Sequence, residues 1–413
     1  MIRRVAPLLT LVALAASRPL NDRTTLDRPH RSTDQVIRVL LTGTATAARI
    51  ASPEGFVLVD RDNALAARAE RNQAWRIERN AGRVRAIRPD GVPTVWKDVL
   101  RARPVGDGLL SLDGKPYRGE ITFTVGDSGL AVINALPIDD YLMGVVPLEM
   151  GTRTASDSAA VQAQAVTARS YAYIHLTPNR AYDVTGGTLD QLYGGVAAEN
   201  AVASQAVEGT RGLVLRYGGR IVNAPYHSTC GGTTAASSEV WRSADEAYLR
   251  QVSDRIPGTE RFYCDIAPRF SWTRRLDART LNAAIAQYLG RYANIPSTGP
   301  GSVRGVTVAS HTLSGRVGTI TVSTDRGNFS LRGNDIRYVL RAPGDEILNS
   351  TYFSLDQSSA ADGSLVQLVI RGFGYGHGVG MCQWGAIGRA RAGQDFRTIL
   401  RAYYPGTSVG PAS

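Results

Sequence analysis

Apolar and polar residues alternate through Ile37–Leu41, and Gly55–Val59 has the same extended character. Two more β-like runs, Ile121–Val125 and Leu130–Asn134, flank Gly126-Asp127-Ser128-Gly129, a turn composition. Between these pairs the Arg-rich stretch Ala64–Arg88 has only weak periodicity and gives no firm assignment. The pattern changes at Pro137, which opens a short helix with Tyr141, Leu142 and Val145 on its apolar side. Asp139 and Asp140 fall on that helix, and Glu149 falls after it. A clearer helix follows. Ser156 or Asp157 is placed to cap it, and Val161, Ala165, Ala168, Ala172 and Leu176 recur at spacings of three and four. Pro178 lies just beyond its end.

A third helix is expected over Glu199–Glu208, ending at Gly209. Leu213–Tyr217 and Arg220–Ala224 then flank Gly218-Gly219, the signature of a two-residue hairpin turn. From Val306 the chain turns β-rich again, with runs at Gly305–Ala309, Gly318–Ser323 and Asn328–Leu331. Asp335–Leu340 reads as a short helix and Ser364–Ile370 as a strand leading into GYGHGVG. Met381–Arg391 and Phe396–Tyr403 read as helices, and Pro296–Gly301 as a flexible junction. Helices mixed with antiparallel strands, rather than alternating with parallel ones, argue for an α+β class.

The first residues follow a different rule. Arg3 and Arg4 precede the apolar run Val5–Ala16, with small residues after it, which is the layout of a secretory signal peptide. The alternative is a short uncleaved anchor, although the run falls short of the ~20 residues that span a bilayer. Either way the chain is expected outside the cytoplasm. The formal charge of +11 then suits an acidic extracellular polymer. Export argues against nucleic acid. The charge is almost all arginine, Lys97 and Lys115 being the lysines, and it forms no dense block.

The most informative residue is Glu149, a single carboxylic acid in the otherwise apolar VVPLEM run, Val145–Met150. Burial there disfavours the charged form and raises the pKa, leaving a proton to donate near neutral pH. Glycoside hydrolysis usually takes two carboxylates. Asp183, Asp190, Glu199 and Glu239 are candidates for the second only if the fold brings them in. The glycine run Gly374–Gly380 lacks the lysine of a phosphate loop and the acid of a dinucleotide fold, so no nucleotide is expected. No nucleophile-elbow sequence supports a serine triad at Ser170 or Ser228, and there is no HExxH.

Taken in order, LPIDDYLMGVVPLEM, AAVQAQAVTARSYAY, QLYGG, YHSTCGG and GYGHGVGMCQWGA resemble the SpoIID/LytB family of bacterial cell-wall proteins, from about Tyr117 to Gly406. The resemblance implies a lytic transglycosylase acting on peptidoglycan glycan strands, probably stripped of peptides, or else a protein that enhances a wall amidase. In the first case one Glu acts as acid and then as base, and the sugar's own C6 hydroxyl closes onto C1 to give a 1,6-anhydro end. Glu149 is then the catalytic residue. Arg169 and Ser170 point to the cleft, joined by Gln191, Tyr193, Tyr226, His227, Ser228, His377 and Gln383 as substrate-binding candidates. All are expected to line one open groove.

No cofactor is called for, and no metal in that site. Some family members carry a Cys-x5-Cys pattern with a neighbouring His before QxY; here Val184, Asp190 and Leu189 stand at those places, so that metal site is absent. The three cysteines, Cys230, Cys264 and Cys382, admit a Cys230–Cys264 disulfide, a zinc site completed by His227 or His377, or three buried thiols. The expected organisation is a signal peptide at 1–17, a linker at 18–36, a β-rich region at 37–125, a catalytic region at 126–295 and an α+β part at 302–413. Together they should form two β-rich lobes around a central cleft.

Overall fold

The computed structural model describes residues 35–187, 190–342 and 344–413. The expected signal segment, nearly all of the linker, and Leu189 lie outside the described residues. Among those described, no helix is long and apolar enough to cross a membrane.

The architecture is α+β, with eight α-helices and mostly antiparallel sheets among the described residues. The largest sheet has seven strands in the order Val184–Thr185, Val36–Ala45, Leu130–Pro137, Glu120–Val125, Val99–Pro104, Phe56–Val59 and Leu65–Ala69. Every pairing in it is antiparallel except the first, which is parallel. A five-stranded sheet takes Arg83–Ile87, Trp75–Asn80, Ala47–Ala51, Leu110–Leu112 and Lys115–Tyr117. The unassigned Arg-rich stretch therefore supplies three strands. Its period of two is short and carried by few apolar residues: Trp75, Ile77, Val84 and Ala86 point inward while arginines take the other face.

The strand Leu130–Pro137 runs straight into helix α1, Ile138–Met150, with Asp139 and Asp140 in the first turn where the helix dipole favours acids. Sequence reading ended this helix before Glu149. In fact Pro147 is accommodated inside it, and the helix stops only at Gly151, whose φ of 69° suits a glycine. Helix α2, Ser158–Ile174, is buried on almost every side because its alanines let neighbours approach closely. It packs against α1, against α3 (Ala201–Gly209, capped by Asn200) and against the strand Leu213–Tyr217. The expected hairpin after α3 forms, with Gly218 and Gly219 at φ of 56° and 80°.

After the short helix α4, Ser237–Val240, the chain builds a second core. It contains α5, Ala278–Tyr288, and α6, Asp335–Val339, with buried residues running from Leu276 to Ile370. The last two helices return to the first core and pack on α2. They are α7, Gln383–Arg391, and α8, Phe396–Tyr403. The parallel pairing Tyr226↔Met381 and His227↔Cys382 fixes that return.

Candidate active site

Glu149 lies in the last turn of α1, half-buried. Its Oε1 accepts from the backbone N–H of Leu192 at 3.2 Å. The side chains of Tyr226 and Gln383 hydrogen-bond to the same carboxyl. Burial raises the pKa of Glu149, and these three donors pull it part of the way back. The negative end of the helix dipole also opposes ionisation at this position, and the last turn carries no basic residue to offset it. Leu148 and Leu192 beside it are exposed, so the carboxyl stands at an open, apolar edge.

The donors are themselves held. Tyr141 donates to Gln191 Oε1 at 3.2 Å, and Gln191 Nε2 donates to the Tyr226 hydroxyl at 2.9 Å. On the opposite side Gln383 Nε2 reaches Gln164 Oε1 at 3.4 Å. His377 is half-buried behind Tyr226. Its Nε2 contacts the Tyr226 carbonyl at 2.8 Å, and its Nδ1 accepts from Val379 N–H at 3.1 Å. Both ring nitrogens are thus engaged, and burial drives the pKa well below the usual histidine value.

Several expected binding residues have other employment. Arg169 is fully buried and turned away from Glu149: its guanidinium pairs with Asp139 at 2.6 Å and donates to the carbonyls of Val207 and Leu213. Ser170 donates to Val166 O and accepts from Leu215 N–H. The expectation that this face of α2 lines the cleft is corrected: a polar helix side read as solvent- or substrate-facing is instead satisfied internally. Tyr193 is buried, with its hydroxyl on Asn134 Oδ1 at 2.8 Å and its ring against Gly144, where a Cβ would meet it at 2.7 Å. His227 is buried, with Nδ1 on Val379 O and burial holding its pKa down to about 3. Ser228 contributes its carbonyl, which accepts from Trp384 N–H at 3.0 Å.

The other acids are committed elsewhere. Asp183 pairs with Arg38, Glu199 with Arg118, Asp139 with Arg169, and Glu239 accepts from Ser314. Asp190 accepts from Tyr171 and from both donors of Thr185. Asp183, Asp190, Glu199 and Glu239, the candidates for a second carboxylate, are thus each held by partners other than Glu149. Sequence reasoning missed Trp384 and Arg153, stacked with the guanidinium carbon 4.7 Å from the ring centroid. Trp384 follows Gln383 directly, and Arg153 donates to the carbonyl of Met150, the residue after Glu149. A tryptophan directly after a motif glutamine was the available signal.

Of the three arrangements the cysteines admit, the structure shows neither the disulfide nor a cluster completed by histidine. All three are buried free thiols, and no disulfide joins Cys230 to Cys264. Neither His227 nor His377 joins their cluster; Asp254 does.

Residues 126–217, which hold α1, Glu149, α2 and Gln191, match the family described as Stage II sporulation protein, SpoIID. Residues 258–380 match a domain of unknown function, DUF8618. An uncharacterized protein of Brachyspira hyodysenteriae is 32% identical over 306 residues, covering 73% of this chain and 74% of that protein. The chain belongs to the SpoIID family. Bacillus subtilis supplies two relatives. Its amidase enhancer is 30% identical over 355 residues, 75% of this chain but only 46% of that longer protein. Its Stage II sporulation protein D is 27% identical over 337 residues, 76% and 85% of the two chains.

Proposed function

We propose that this SpoIID protein is a lytic transglycosylase that cleaves peptidoglycan glycan strands, peptide-free ones for preference, outside the cytoplasm. The observation that carries the proposal is one half-buried glutamic acid, raised in pKa, with neutral donors around it and the other candidate acids engaged elsewhere. A hydrolase of the usual kind needs a second carboxylate to activate water or to attack the sugar. An intramolecular closure does not. Glu149 protonates the glycosidic oxygen as the C1–O bond breaks. The resulting carboxylate then accepts the proton of the C6 hydroxyl as its oxygen bonds to C1. The proton returns to Glu149, no water is consumed, and the product ends in a 1,6-anhydro sugar.

Tyr226 and Gln383 suit both halves of this cycle, because each can donate to the carboxylate that forms in mid-reaction. Trp384 offers a flat apolar face of the kind on which sugar rings stack. The decisive measurement is product mass after incubation with peptide-free glycan strands. Anhydro-muramyl ends support the reading, and reducing ends or unchanged strands overturn it.

A second reading rests on the relative named amidase enhancer. In that reading the protein binds the wall and stimulates an amidase, and Glu149 orders the loop at Leu192. Unchanged glycan together with faster amidase release of peptides would favour it.

A further inference from the structure

Four potential metal ligands from three segments distant in sequence meet in one buried cluster. The Sγ atoms of Cys230, Cys264 and Cys382 and a carboxylate oxygen of Asp254 all lie within 4.8 Å of one another, and all four residues are buried. We propose that these four residues form a tetrahedral Zn²⁺ site that ties the YHSTCGG segment to the GYGHGVGMCQWGA segment.

The spacing fits zinc. Zinc–sulfur bonds of about 2.3 Å at tetrahedral angles place neighbouring sulfurs about 3.8 Å apart. Cys230 Sγ lies 3.5 Å from Cys264 Sγ and 3.8 Å from Asp254 Oδ2. The donor set, three soft thiolates and one carboxylate, belongs to the range that closed structural zinc sites use.

The outer groups are those that orient metal ligands. Asp254 Oδ1 is taken by the Tyr403 hydroxyl at 2.7 Å and by Arg389, which leaves Oδ2 facing the sulfurs. The backbone N–H groups of Cys230 and Gly385 both point at Cys382 Sγ, each at 3.2 Å. Glycines make room for this on α7. A Cβ at Gly385 would meet Tyr403 and Asp254, and one at Gly388 would strike the backbone of Tyr263, next to Cys264.

Charge supplies an independent argument. Three thiolates, a carboxylate and Zn²⁺ carry a net −2, which a dry interior tolerates only beside cations. Two arginines are there. Arg389 pairs with Asp254 at 3.2 Å. Arg316 is wholly buried and donates to the Cys230 carbonyl at 2.8 Å, yet its Nε and Nη1 have no hydrogen-bond partner. A buried guanidinium left half-satisfied against neutral thiols is costly; against an anionic zinc cluster it is compensated. Zinc binding releases the three thiol protons and leaves the sulfurs held and shielded from oxidation.

Native mass spectrometry of the full chain, purified without chelator, tests the proposal. One zinc per chain is expected, and thiols that resist alkylation until a strong chelator is added. Replacing the zinc with Co²⁺ should give thiolate-to-metal charge-transfer absorption. Tyr403→Phe, which removes the shorter of the two contacts holding Asp254 Oδ1 and leaves all four ligands in place, should lower zinc affinity about 10–100-fold. A metal-free chain with three reactive thiols overturns the site, as does a mass deficit showing a Cys230–Cys264 disulfide. Zinc content does not depend on the catalytic reading: Glu149→Gln should hold as much zinc as the parent, whichever way the glycan assay falls.

Discussion

Gln191 Nε2 donates to the Tyr226 hydroxyl at 2.9 Å. With its oxygen occupied in this way, the hydroxyl has one proton left to give, and Glu149 is where it goes. A glutamine that never touches the acid thereby sets the direction of the bond that does.

Removing the transferable proton should stop the chemistry and spare the fold. Glu149→Gln keeps the shape and can still face Leu192 N–H. Loss of general acid catalysis typically costs ~10²–10⁴ in rate. Release of anhydro-muramyl products should fall by that factor while the thermal transition stays near the parent's. Activity within a few-fold of the parent would refute the role of Glu149.

The pH profile should carry the same signature. Glu149 must start protonated, so activity should decline as pH rises through its elevated pKa, above the ordinary glutamate value of 4.5. Its contribution to stability has the same sign: full below the unfolded-state pKa and lost as pH climbs through the folded one. Tyr226→Phe deletes a donor that favours the carboxylate and should move the alkaline limb to higher pH. A limb that stays put, or moves down, would show that Tyr226 does not act on Glu149.

Arg169 should behave as a structural residue. Arg169→Met leaves buried Asp139 with the longer contact to Arg211 at 3.8 Å, and breaking a buried pair from one side costs up to about 3–5 kcal/mol. Denaturant unfolding should reveal the loss, and KM for glycan strands measured below the transition should not change. A KM effect without a stability loss would restore it to the cleft.

Gly144 should tolerate nothing larger. A Cβ there meets the Tyr193 ring at 2.7 Å and the Gly195 carbonyl at 3.0 Å. Gly144→Ala should cost about 1–3 kcal/mol through overpacking. It should also reduce activity, because Tyr193 anchors the segment whose Leu192 N–H reaches Glu149. Scanning calorimetry alongside the glycan assay checks both.

Local rules made much of this molecule legible. The Gly218-Gly219 turn, the Phe396–Tyr403 helix and the isolation of Glu149 in an apolar run all follow from short-range pattern. What escaped depends on partners distant in sequence. Nothing around Arg169 announces Asp139, thirty positions earlier, so a buried ion pair read as a cleft lining. Nothing around Asp254 announces three cysteines. The end of α1 also escaped: Glu149 reads as lying past the helix, whereas the helix continues through Pro147 to Met150.

The parallel pairing of Tyr226–His227 with Met381–Cys382 has a consequence in time. Gln383 and the two closing helices come from the end of the chain, and loops this long close late. A chain that has not yet made this pairing lacks Gln383 beside Glu149 and the Met381 partner of the Tyr226 strand. The Glu149 site is therefore complete only once residues more than two hundred positions downstream have closed onto it.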